Sequence, residues 1–137
     1  MIQPHDIEFD KIQNMYITEL GPGWGKFAGQ VTKISSSGKV ISRIGSHDNN
    51  GKGLDGPTVS HFGTDDFLYV SEWRAHKILK YDKNYKIMGW LGKYNNDEIK
   101  NNNYNFNIES VKNASSHLKG PHAIRIGPDH NLYVADT

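Results

Sequence analysis

Cysteine is absent from the 137 residues, so disulfides and thiolate metal sites are excluded, although the compartment is left open. An excess of one charge is lacking too. Sixteen basic and 15 acidic residues leave a net charge of +1, which argues against a dedicated nucleic-acid or membrane-surface protein. No apolar run approaches the length of a transmembrane helix. The opening "MIQPHDIEFD" has no apolar core and carries Asp6, Glu8 and Asp10, so it does not read as a signal peptide. Export is expected only if the natural N-terminus lies upstream. Nor is there a convincing amphipathic helical pattern of ten or more residues.

What is present is repetition. Residues 4–19 (PHDIEFDKIQNMYITE), 57–72 (PTVSHFGTDDFLYVSE) and 121–136 (PHAIRIGPDHNLYVAD) align without a gap. In each, a tyrosine follows the proline by 12 positions and an acid follows it by 15. Residues 31–45 align with 78–92 at an offset of 47, whereas the first two prolines are offset by 53. The six additional residues of the first unit fall in the Gly-rich stretch "LGPGWGKFAGQ". That stretch fails the phosphate-loop pattern, because Leu20 and Phe27 stand where Gly and Ser/Thr are required. It reads as a surface loop with Trp24 and Phe27 packing locally.

The second unit predicts four short strands, at 59–62, 68–71, 77–81 and 87–91. They are rich in β-branched and aromatic residues and separated by "GTDD" and "DKNY" turns. Four antiparallel strands per recurring unit predict an all-β fold of propeller type, in which neighbouring blades cover one another's faces. Blade 1 spans about 4–45, blade 2 about 57–92, an Asn-rich insertion 93–117, and the start of blade 3 about 121–137. The insertion reads as a surface segment and holds a glycosylation sequon at 113–115. About two and a half blades are too few for a closed ring, so the remaining blades are expected from further sequence or from other chains.

The pattern "P-H-x-I … Y-V-x-D/E … K-I-x-K-Y-D" resembles the NHL repeat, which implies a six-bladed propeller. The alternation Pro-His, Pro-Thr, Pro-His resembles more narrowly the peptidyl-α-hydroxyglycine amidating lyases. There, channel histidines after such prolines hold zinc. The resemblance implies His5 and His122 as zinc ligands, with Thr58 in the intervening blade. The Asp-Gly-Tyr segment that carries those lyases' tyrosine reads "SEWRAHKI" here, so no catalytic residue is assigned. "SEWRAHKI" is itself similar to the "TEWxANKI" of streptogramin-inactivating lyases, which use histidine and glutamate with magnesium. Glu72 and His122 carry over only loosely.

The residue after each strand-starting proline is expected at the mouth of the central channel, where neutral imidazole can bind a metal. Proline fixing φ, with histidine as one tolerated neighbour, is the plainer alternative. Thr58, Trp73, Arg74 and His76 are the candidate ligand-binding residues, since the last three lie in a loop and Trp and Arg are favoured anchors. Glu19, Glu72 and Asp136 are expected to accept backbone N–H bonds at the turn into the third strand. His47, His117 and His130 read as solvated. Two functions follow: a scaffold binding a small molecule, peptide or protein at the channel mouth, or a zinc-dependent lyase. Nucleic acid and membrane are not expected partners.

Overall fold

The computed structural model describes residues 3–21, 29–45, 53–92 and 118–137. The packing of Trp24 and Phe27, the Asn-rich insertion with its sequon, His47 and His117 lie outside the described residues.

Among the described residues, ten strands form three antiparallel sheets. The first is β1 (Pro4–Phe9), β2 (Met15–Glu19), β3 (Gln30–Ile34) and β4 (Val40–Ile44). The second is β5 (Pro57–Phe62), β6 (Leu68–Glu72), β7 (Lys77–Tyr81) and β8 (Ile87–Gly92). The third holds β9 (Ala123–Ile126) and β10 (Leu132–Ala135). Strand order follows chain order in each four-stranded sheet, so strands adjacent in sequence are adjacent in the sheet. Among the described residues no helix is long and apolar enough to cross a membrane.

The turns explain why these segments pair. The residue nine positions after each proline takes a left-handed conformation: Gln13 at φ 65°, Asp66 at 62° and His130 at 62°. An aspartate then braces each β-hairpin. Asp10 Oδ1 accepts the Asn14 amide at 2.8 Å, Asp65 Oδ1 the Phe67 amide at 3.2 Å, and Asp129 Oδ1 the Asn131 amide at 3.2 Å. Each aspartate also accepts from the tyrosine twelve residues after the proline: Tyr16 at 3.1 Å, Tyr69 at 3.1 Å and Tyr133 at 2.8 Å.

The core lies between sheets, not within them. Strand alternation sends Leu68, Val70, Leu79 and Tyr81 toward the first sheet, where they meet Tyr16, Val31 and Ile44. The opposite parity sends Val59, Tyr69 and Ile78 to Ile124 of the third sheet. Each fully buried aliphatic side chain contributes about 1.5–3 kcal/mol. A polar seam joins the inner strands. Buried Thr18 donates to Ser60 Oγ at 2.9 Å, and the Ser60 amide donates to Asp6 Oδ2 at 3.2 Å.

Glu72 and Asp136 accept backbone amides as expected of them, though from a different place in the chain, and Glu19 bonds to side chains of the third strand. Glu72 Oε1 accepts the Asp55 amide at 2.7 Å, and Asp136 accepts the Lys119 amide at 2.8 and 2.9 Å. Both amides lie two residues before a strand-starting proline, not at the turn into the third strand. The same acids reach the third strand through side chains, Glu19 to Gln30 and Thr32, and Glu72 to Lys77 at 2.9 Å. Glu72 therefore ties the chain entering its unit to that unit's second and third strands, while Glu19 makes the tie to the third strand and Asp136 the tie to the entering chain.

Candidate functional site

The inner strands β1, β5 and β9 lie side by side and begin at the same end of the sheets. At that end the pairing slips by one residue between Pro4 and Asp6, and again between Pro57 and Val59. His5 and Thr58 are thus the bulged residues, and His122 holds the matching position, its amide donating to the Ala135 carbonyl at 2.9 Å. A bulge re-aims a side chain out of the strand's ordinary alternation.

The structure brings His5 and His122 together. Their ring centroids are 5.9 Å apart with the planes inclined at 53°, and both residues are exposed. Thr58 is 1% exposed. Its hydroxyl is hydrogen-bonded to Ser71 Oγ at 2.9 Å and donates to the Pro121 carbonyl at 3.4 Å. It fastens the middle strand beneath the two imidazoles.

The β6–β7 turn supplies the second wall. The Trp73 ring lies 5.9 Å from His122, and Arg74 Cζ lies 5.9 Å from the Trp73 ring centroid. Gly120, at φ 81°, lets Trp73 close down on the third unit, because a Cβ there would stand 2.8 Å from the indole Nε1. Gly56 does the same for the Arg74 stem. His76 closes the turn at φ 56° and is exposed. Trp73, Arg74 and His76 line an open cleft of about 520 Å3 with Lys119, Gly120 and Thr137.

Two exposed imidazoles this close suit a shared cation, since zinc takes neutral imidazole nitrogen at about 2.0–2.1 Å. A catalytic zinc uses about three protein ligands. Among the described residues no three His, Cys, Asp or Glu side chains are placed to hold a metal.

The sequence reading missed a second constellation, at the other end of the strands. Asp10, Tyr16 and Lys33 recur as Asp65, Tyr69 and Lys80, with lysine to aspartate at 3.5 and 2.8 Å. The repeated tyrosine, and lysines exactly one unit offset apart at 33 and 80, were the available signal. Burial first, then the Tyr85 hydroxyl and the Asp10 carboxylate, push the Tyr16 phenol well above its ordinary 10.0. Burial raises the Asp65 carboxyl, but hydrogen bonds from Lys80, the Phe67 amide and Tyr69 outweigh it and hold the group below 3.8.

No protein-family model matches the chain, and no curated protein matches it. Solved structures do. The chain is similar to virginiamycin B lyase from Staphylococcus aureus over 98% of its length, with a TM-score of 0.60 at 16% identity. A catalytically inactive form of that lyase with quinupristin matches 97% of the chain, with a TM-score of 0.61 at 18% identity. A streptogramin B lyase matches 97%, with a TM-score of 0.61 at 16% identity. The fold is that of a β-propeller, seen in part. The chain spans 34% of the length of each of these structures. At such identities the likeness bears on the fold of the propeller alone. Its four-stranded sheets are blades.

Proposed function

We propose that this propeller sector binds a small ligand at the channel mouth, with His5 and His122 as the polar centre and Trp73 and Arg74 as the flanking wall. The convergence of two imidazoles from alternate blades, 5.9 Å apart above a sealed Thr58, carries the reading. The cleft beside them is of the size that small-molecule sites have. The indole offers an apolar face and the guanidinium a fixed charge, a pairing that suits a ligand carrying both ring and carbonyl or carboxylate groups. The NHL-type, six-bladed reading belongs to this proposal, as does zinc on the two histidines with the third ligand from outside the described residues.

A second reading is favoured by the "SEWRAHKI" turn together with the neighbours found by structure: a lyase acting on a streptogramin. A bound divalent ion would supply Lewis-acid polarisation of a substrate oxygen. The chain's own residues would hold that ion through His5 and His122 and orient the substrate against Trp73 and Arg74.

One experiment separates the readings. The full chain, in its complete assembly, is incubated with quinupristin with and without added Zn2+ or Mg2+, and bound and cleaved compound are measured by mass spectrometry. Binding without turnover, lost in His122→Ala and Trp73→Ala, supports the scaffold. Metal-dependent cleavage supports the lyase. Neither binding nor turnover overturns both for this ligand class. Zinc titration tests the metal separately: one ion per chain, lost in His5→Ala and in His122→Ala, is expected, and no uptake by the parent protein removes zinc from the proposal.

A further inference from the structure

Across the blades from the histidines, roughly the length of one strand away, a cavity of about 420 Å3 opens between blades 1 and 2. Phe9 and Ile12 of blade 1 and Phe62 of blade 2 form its apolar sides, and Tyr16, Lys33 and Tyr85 form its floor. Tyr16 is buried and meets Phe62 edge to face at 4.8 Å. Ile12, on the rim, is 76% exposed.

Tyr85 stands in this cavity at a backbone cost. Its φ is 60°, a left-handed conformation that bulky residues seldom take. One repeat earlier the same turn position is Gly38, at φ 84°, the residue such a turn favours. Both turns make the same backbone bond, Tyr85 to Asp82 and Gly38 to Ser35, each at 2.9 Å. Blade 2 therefore carries a strained tyrosine where blade 1 carries glycine. Strain of this kind persists where surroundings over-determine it, and it gathers at ligand clamps.

What holds Tyr85 is a relay ending on a charge. Lys33 Nζ donates to the Tyr85 hydroxyl at 2.8 Å, the two tyrosine hydroxyls are 2.7 Å apart, and Tyr16 donates to Asp10 Oδ2 at 3.1 Å. Lys33 Nζ also lies 3.5 Å from Asp10 Oδ2. An ammonium has three donors, and these two partners use two of them. The acids around the cavity are engaged within the protein. Asp10 is held by Asn14 and Tyr16, Asp66 by Lys11, and Asp82 by the Asn84 and Lys86 amides. The cavity thus offers aromatic walls and the Lys33 ammonium on its floor, with Lys11 and Lys83 also in the lining.

We propose that this inter-blade cavity is a second binding site, separate from the channel mouth, and that it takes a small aromatic carboxylate. The ring lies among Phe9, Ile12 and Phe62, and the carboxylate accepts from the Lys33 ammonium. The Tyr85 hydroxyl fixes that ammonium in place, which is the use of the strained residue.

The test titrates benzoate and its neutral counterpart benzyl alcohol into the full chain, followed by NMR shifts of the tyrosine and phenylalanine rings. Benzoate is expected to saturate, to move the Tyr16, Phe62 and Tyr85 rings, and to bind about tenfold more tightly than the alcohol, the scale of one charge-assisted bond. Lys33→Gln is expected to erase that preference. Tyr85→Gly relieves the strained turn, so the fold is kept while benzoate binding weakens about tenfold. Ile12→Glu, on the exposed rim, has the same effect by charge repulsion and does not touch the core. His122→Ala leaves benzoate binding unchanged, so failure here and failure at the mouth are distinguishable. Equal affinity for acid and alcohol, unmoved ring resonances, or parent-like binding by Ile12→Glu would overturn the proposal.

Discussion

Glu72 holds the Asp55 amide with one oxygen and the Lys77 ammonium with the other, at 2% exposure. Removing the carboxylate strands a backbone donor and takes the counter-charge from a lysine that is itself 18% exposed. Glu72→Ala is therefore expected to cost about 3 kcal/mol in urea unfolding. Asp136→Ala deletes the same repeat position on an exposed strand end and is expected to cost under about 1 kcal/mol. A second residue-scale prediction concerns acid. Asp65 has its folded-state pKa lowered, so its contribution is fully present above its ordinary value of 3.8 and is lost as pH falls through the lower folded value. Stability measured by thermal melting should fall over that range, and Asp65→Asn should flatten the fall. Asp10 shows how one repeat reaches the same end by another route. Blades 2 and 3 place glycine at 63 and 127, and the following Asp65 and Asp129 fold back into the space so left. Blade 1 has Asp10 at the glycine position itself, and its own carboxylate does the bracing.

At the scale of strands, the repeat made most of the fold readable. The expected strands at 68–71 and 77–81 and the paired turns recur in the structure, because alternation and turn chemistry act within a few residues of one another. β5 starts two residues earlier than expected, at Pro57, because the pairing resumes across the bulge at Thr58. A bulge leaves no mark in a hydrophobic pattern, so the re-aiming of His5 and Thr58 was not readable, though their shared place after proline was. The meeting of Lys33 with Tyr85 depends on how two blades pack, which no spacing encodes. The seam between blades gives a prediction of its own. Thr18→Val leaves the buried Ser60 hydroxyl without its donor and should cost about 1–2 kcal/mol. Adding Ser60→Ala should recover part of that loss, and a double-mutant cycle of unfolding free energies would measure the coupling.

Over the described residues as a whole, the two blade interfaces are built alike, but the outer side of blade 1 leaves large apolar side chains exposed. Ile7 is 54% exposed and Ile41 is 52% exposed, with Val40 also open. In a propeller such a face meets the next blade. The chain taken alone is therefore expected to associate as concentration rises, by sedimentation velocity, and Ile7→Lys with Ile41→Lys is expected to suppress it without lowering the melting temperature. Association unchanged by both substitutions would count against this face as the contact. Chain-ordered pairing has a further, mechanical consequence. Because each strand is bonded to its sequence neighbours, tension applied at the two ends opens each sheet like a zipper, one ladder bond at a time, rather than shearing many at once. The protein should yield at low force and in steps of a strand or a blade, with the acid clamps at Glu72 and Asp136 setting where each step pauses.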